Sequence, residues 1–71
     1  MVVKAKYDQK EYDNRGKPRI VFKTGCTYIA FKEDDNHYIV RDAWCRHSHF
    51  FQRSFENLFE IIRSETTNVE A

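Results

Sequence analysis

The chain has 71 residues, 41% of them hydrophobic and 15% aromatic, and its 12 Lys and Arg nearly balance its 11 Asp and Glu, leaving a net charge of +1. That length allows one small domain burying about 60% of its unfolded surface, and the near-neutral balance excludes a strongly basic nucleic-acid module. No apolar run approaches the roughly 18 residues that span a bilayer, and M-V-V-K lacks the apolar core of a signal peptide. A cytoplasmic setting is the expectation, with Cys26 and Cys45 expected as two free thiols.

In chain order, residues 2–7 (V-V-K-A-K-Y) place Val3, Ala5 and Tyr7 on one side of a strand and Lys4 and Lys6 on the other. Residues 8–19 are polar apart from Tyr12, with Asn14, Gly16 and Pro18 supplying turn chemistry, and read as a long loop. Ile20, Val21 and Phe22 return to the core, and Gly25 is free to take the positive φ of a turn. From Gly25 to Asp42 the pattern is a hairpin: residues 27–31 and 38–40 are β-prone, and Glu33, Asp34, Asp35 and Asn36 form a solvated tip.

The last third admits two readings. Phe51, Phe55, Leu58, Phe59 and Ile62 recur at helical spacing, which supports an amphipathic helix over residues 48–63. The alternative is a strand over His47–Phe51, a single helical or 3₁₀ turn over residues 53–57, and a closing strand over residues 58–62. Residues 64–71 carry no partner pattern and read as a flexible tail beyond a single domain over residues 1–63.

Four segments, K-A-K-Y-D from Lys4, F-K-T-G-C-T-Y from Phe22, Y-I-V-R-D from Tyr38, and H-F-F with F-E-N-L-F-E-I-I beyond it, together resemble small SH3-like β-barrel proteins encoded by bacteriophages and prophages. The resemblance implies an all-β, five-stranded barrel with a long loop after the first strand, a three-stranded meander and a 3₁₀ turn before the last strand. It favours the three-part reading of the C-terminal third; a β-hairpin sheet with a C-terminal helix is the alternative fold. At Asp42-Ala43-Trp44-Cys45-Arg46 the chain departs from the pattern, with no Gly where those proteins often have one.

Cys45, His47 and His49 alternate, so on a strand they would share a face, with Cys26 or His37 as further donors for zinc. No C-x-x-C or H-x-x-x-H spacing accompanies them, and surface histidines beside a cysteine are the simpler reading. A Cys-His nucleophile is equally conceivable in residue type, but so small a chain has little room for a substrate pocket. The expectation is a non-enzymatic binding module without a cofactor. Tyr12, Arg15, Lys17 and Arg19 in the loop and Trp44 in the turn are its contact residues. The resemblance implies a bacterial host protein as partner. The basic front end, seven Lys or Arg against three Asp or Glu over residues 1–23, makes weak nucleic-acid binding a second reading, and zinc binding is a third.

Overall fold

The opening alternation forms strand β1 (Val2–Ala5), with Val3 and Ala5 fully buried and Val2 and Lys4 on the other side. The computed structural model describes residues 1–64; beyond Ser64 the tail expected over residues 64–71 lies outside the described residues. β1 ends earlier than its pattern suggests. The Ala5 N–H donates to the Cys26 carbonyl (3.0 Å) and the Ala5 carbonyl accepts from Gly25 N–H (2.9 Å). Tyr7, expected on the inward face, is 60% exposed. Gly25 takes φ +83°, the left-handed conformation expected of it, in a turn where Asp8 Oδ1 accepts both the N–H and the hydroxyl of Thr24 (2.8 Å each).

Residues 8–19 are not a loop. They supply β2 (Gln9–Tyr12) and the start of β3 (Pro18–Phe22), paired antiparallel with Glu11 opposite Arg19 and Tyr12 opposite Pro18. Pro18 begins its strand, a position that needs no ladder N–H. The turn between them is closed by Asp13, whose Oδ1 accepts the N–H of Arg15 (2.8 Å) and Lys17 (2.9 Å), while Gly16 sits at φ +78°.

The central hairpin forms as read, and its first strand runs longer: β4 (Thr27–Asp34) pairs with β5 (His37–Arg41), with a bulge between Lys32 and Asp34. β5 pairs in turn with β6 (His47–Phe51). The C-terminal third follows the three-part reading in outline, with a two-turn helix α1 (Gln52–Leu58) where a single helical or 3₁₀ turn was expected, and β7 (Phe59–Arg63) after it. A continuous helix over residues 48–63 is excluded because its supposed apolar stripe does not share a buried face. Phe55 and Phe59 are buried, whereas Phe51 is 68% and Ile62 47% exposed. Strand pairing wins at both ends. Phe51 and Phe59 take extended backbone angles, β6 completes a ladder with β5, and β7 completes one with β1.

These strands do not close into a barrel. Five form one antiparallel sheet in the order β6-β5-β4-β1-β7, and β2-β3 form a separate pair, so the expected five-stranded SH3-like barrel is replaced by an open arrangement of two sheets and a seven-residue helix. Among the described residues no ladder joins the β2-β3 pair to either edge of the larger sheet. Hydrophobic contact joins them, with one backbone hydrogen bond from Ala43 N–H of the β5–β6 turn to the Val21 carbonyl of β3 (2.9 Å) and an ion pair between Glu11 and Arg46. Phe22 on β3 meets Tyr28 (ring centroids 5.0 Å), Phe59 (5.1 Å) and Phe50 (6.0 Å) edge-on, in the geometry that the ring quadrupole favours. Val3, Ala5, Val21, Ala30, Val40, Phe55 and Phe59 complete the core, and Tyr38 stacks flat on Phe55 at 4.1 Å.

The β5–β6 turn, where the sequence lacks a glycine, is built on Asp42. Its carboxylate is buried and Oδ1 accepts the N–H of Trp44 and of Arg46 (2.9 Å each). Cys45 occupies φ +64°, a conformation costing a non-glycine residue roughly 1–2 kcal/mol. Cys45→Gly is therefore expected to raise stability by about 1 kcal/mol, read as a higher urea midpoint at unchanged slope. Phe22→Ala, which removes the ring joining the two sheets, is expected to cost about 3–5 kcal/mol by the same measurement.

Candidate binding surface

Asp13 and Asp42 head two turns built alike. In each, the aspartate Oδ1 accepts the N–H groups two and four residues on, and its backbone N–H donates to the carbonyl four residues on (Lys17, 3.0 Å; Arg46, 2.8 Å). The residue three positions on, Gly16 or Cys45, donates its N–H to the aspartate carbonyl and takes positive φ. Each turn ends on a cation, Lys17 or Arg46.

The fold brings the two turns together through one carboxylate. Glu11 Oε2 accepts from Arg19, its cross-strand partner (Nη2 at 2.7 Å, Nε at 3.1 Å), and from Arg46 Nη2 of the other turn. Arg46 also lies 3.4 Å from Asp42 Oδ2. The Arg19 guanidinium extends over the Trp44 ring, 5.0 Å from its centroid, within cation–π range. Hydrogen bonds from Arg19 first, and Arg46 second, hold the Glu11 carboxyl below its ordinary value, and Glu11 in turn pushes the Arg46 pKa up.

Around this brace lies an open groove of about 650 Å³ lined by residues 11–15, 17, 19 and 46. It has four cations, Arg15, Lys17, Arg19 and Arg46, against two carboxylates, Glu11 and Asp13. Tyr12, 69% exposed, stands on its wall, and Trp44, 53% exposed, reaches it through Arg19. Of the five residues expected from the sequence as contacts, Tyr12, Arg15, Lys17 and Arg19 line the groove and Trp44 lies beside it under Arg19. Glu11 and Arg46 were missed. The signal for Arg46 was there: D-x-x-x-[K/R] occurs at Asp13–Lys17 and again at Asp42–Arg46.

The zinc candidates do not converge. Cys45 lies in the turn, the His47 ring packs near Phe31 (centroids 6.4 Å), and His49 Nδ1 lies 3.5 Å from Glu33. Among the described residues no group of three or more His, Cys, Asp or Glu could hold a metal ion. Cys26 and Cys45 are exposed thiols. A second cavity, of about 530 Å³, lies between Asn36, His37, Phe51 and the start of α1. There His37 Nδ1 is tied to Asp34 (2.8 Å), whose carboxyl is held low by the Asn36 N–H first and His37 second. It has fewer cations than the groove, with Arg53 beside Glu56. No helix among the described residues is long and apolar enough to cross a membrane. No family model, curated protein or solved structure matches the chain.

Because the folded pKa of Glu11 is depressed, its brace contributes stability above the ordinary carboxylate range, and that contribution is lost as pH falls through the lowered value. Glu11→Gln is expected to lower the urea midpoint at neutral pH. The gap between the two proteins should close on acidification below that range, and a gap independent of pH would assign the loss to packing instead.

Proposed function

We propose that the protein is a non-enzymatic binding module that captures a partner protein on the paired-turn surface. The reading is carried by one observation: two separate hairpins are joined where Glu11 pairs with both Arg19 and Arg46, and around that brace lie two exposed aromatic side chains, Tyr12 and Trp44, and two further cations, Arg15 and Lys17. Trp, Tyr and Arg are the residue types that dominate binding energy in protein interfaces. Here Trp44 and Tyr12 supply apolar anchors, and Arg15, Lys17, Arg19 and Arg46 select acidic side chains around them. A bacterial host protein, met in the host cytoplasm and controlled by occlusion or tethering, is the partner this reading takes.

Weak binding to a single-stranded nucleic acid is the second reading, favoured by the same excess of cations beside exposed rings. Trp44 is the only tryptophan in the chain, so its emission reports occupancy of the surface directly. The Tyr12→Ala, Trp44→Ala double variant is expected to keep its circular dichroism spectrum and to lose a host protein that the unmodified chain retains on an affinity column. Equal retention by both would remove this surface from consideration. Quenching of Trp44 by an oligonucleotide, weakening linearly in log K against log[salt] with a slope of about 0.7 per phosphate contacted, would move the assignment to nucleic acid.

A further inference from the structure

Glu11 already does on the paired-turn surface what an acidic side chain of a partner would do. Its Oε2 accepts Nη2 (2.7 Å) and Nε (3.1 Å) of Arg19 together with Nη2 of Arg46, so a carboxylate fills the place where the two guanidinium groups converge. The neighbouring carboxylates are engaged differently. Asp13 Oδ1 is taken up by backbone N–H groups of its own turn, and Asp42 is buried at the head of the other. Arg15 and Lys17, on the same groove, have no ion-pair partner among the described residues. Nor is the brace sealed from water: the side chains of Glu11 and Arg19 are 37% exposed and that of Arg46 is 46% exposed. Ion pairs this open are weak, and an incoming carboxylate can replace Glu11 while each arginine keeps a charged acceptor.

Taking the groove as the protein-binding surface described above, on which this inference rests, we propose that Glu11 is a built-in competitor for the acidic side chains of the partner. In the free protein it occupies Arg19 and Arg46; on binding, a carboxylate of the partner displaces it and reaches them. Selectivity follows from the exchange. A single acidic side chain gains little, because it replaces the contacts it removes. A run of acidic residues gains more, because its further carboxylates reach Arg15 and Lys17, which Glu11 does not neutralise. The partner is therefore a protein with a cluster of acidic side chains. The carboxylate that braces the two hairpins also lowers the affinity of the surface they build, so stability and binding are traded at one residue.

Titration with a hexaglutamate peptide at low ionic strength tests it, followed by the emission of Trp44, which lies under the Arg19 guanidinium. Glu11→Gln keeps an acceptor oxygen and removes the charge; it is expected to bind the peptide about fivefold more tightly than the unmodified chain, despite its lower urea midpoint. Asp13→Asn removes the same charge from the same groove while its Oδ1 still accepts the turn N–H groups, and its gain is expected to be smaller. In the unmodified chain the carboxyl-carbon NMR resonance of Glu11 is expected to move to the position of a free glutamate as the peptide saturates, a readout that needs no variant to fold. Weaker or unchanged binding by Glu11→Gln would make Glu11 a positioning group for the arginines and overturn the proposal. Equal gains in the two variants would reduce its effect to the general field of the groove, and a Glu11 resonance unmoved at saturation would show that nothing displaces it; either outcome defeats the competitor role. Absence of binding by every chain up to millimolar peptide would also overturn it, while host-protein capture that is lost in the Tyr12→Ala, Trp44→Ala variant would leave the binding surface itself standing.

Discussion

The carboxylate at the head of a turn is the interaction on which the paired-turn surface depends. A hairpin loop that bends back after three residues leaves backbone N–H groups facing inward, and an aspartate side chain satisfies two of them at once. At Asp13 this happens in solvent. At Asp42 the same geometry is buried, so the carboxylate must be fully satisfied or costly, and the Trp44 and Arg46 N–H groups with the Arg46 guanidinium satisfy it. The direction in which Trp44 and Arg46 leave the turn is thereby fixed by a group that cannot move cheaply. Cys45 is held in a left-handed conformation by the same bonds, and the turn tolerates that strain because its hydrogen bonds outweigh it.

Much of this was legible and some was not, for physical reasons. The alternation of Val3 and Ala5 reports burial directly, because apolar side chains sit at the buried positions, whereas the β-prone run of β4 reports only the strand: Ala30 is its buried residue, while Ile29 and Phe31 are about half exposed. In Q-K-E-Y the sense is reversed. Gln9 and Glu11 are the half-buried residues of β2 while Tyr12 is exposed, so hydrophobic alternation points away from the strand that is there. Glu11 tolerates that position only because Arg19 and Arg46 converge on it, one across the ladder and one from 35 residues away. The second partner is a tertiary fact. Likewise Phe51 and Ile62 sit at helical spacing from Phe55, but a spacing cannot tell a shared face from a coincidence until strand pairing is known.

The barrel failed as an expectation because its component segments can be present without closure. A long excursion after the first strand, a three-stranded meander and a helical turn before a final strand all occur here, yet closure needs a ladder between the excursion and an edge of the sheet. In its place one aromatic ring, Phe22, bridges the gap with rings from β4, β6 and β7. Hydrophobic contact is less directional than a ladder, so the β2-β3 pair is positioned by what surrounds Phe22, by the single backbone bond from Ala43 N–H to the Val21 carbonyl, and by the Glu11 brace at its far end. The open arrangement also leaves both β6 and β7 as edges of the sheet.

How the aromatic residues are divided carries the argument from fold to function. The chain has eleven, and six of them, Phe22, Tyr28, Tyr38, Phe50, Phe55 and Phe59, build or line the core. The other five, Tyr7, Tyr12, Phe31, Trp44 and Phe51, are each about half exposed or more. A domain this small gains its stability from few buried side chains, so aromatic rings left in water are a cost to folding and solubility that the fold does not explain. Isolated exposed apolar residues are ordinary. These are not isolated: Tyr12 and Trp44 flank one cationic groove, and Phe31 adjoins Ile29 and Ile39 on one sheet face. Rings grouped with charge around them are what interfaces are made of, and that grouping, more than any single residue, is why binding is the function we propose.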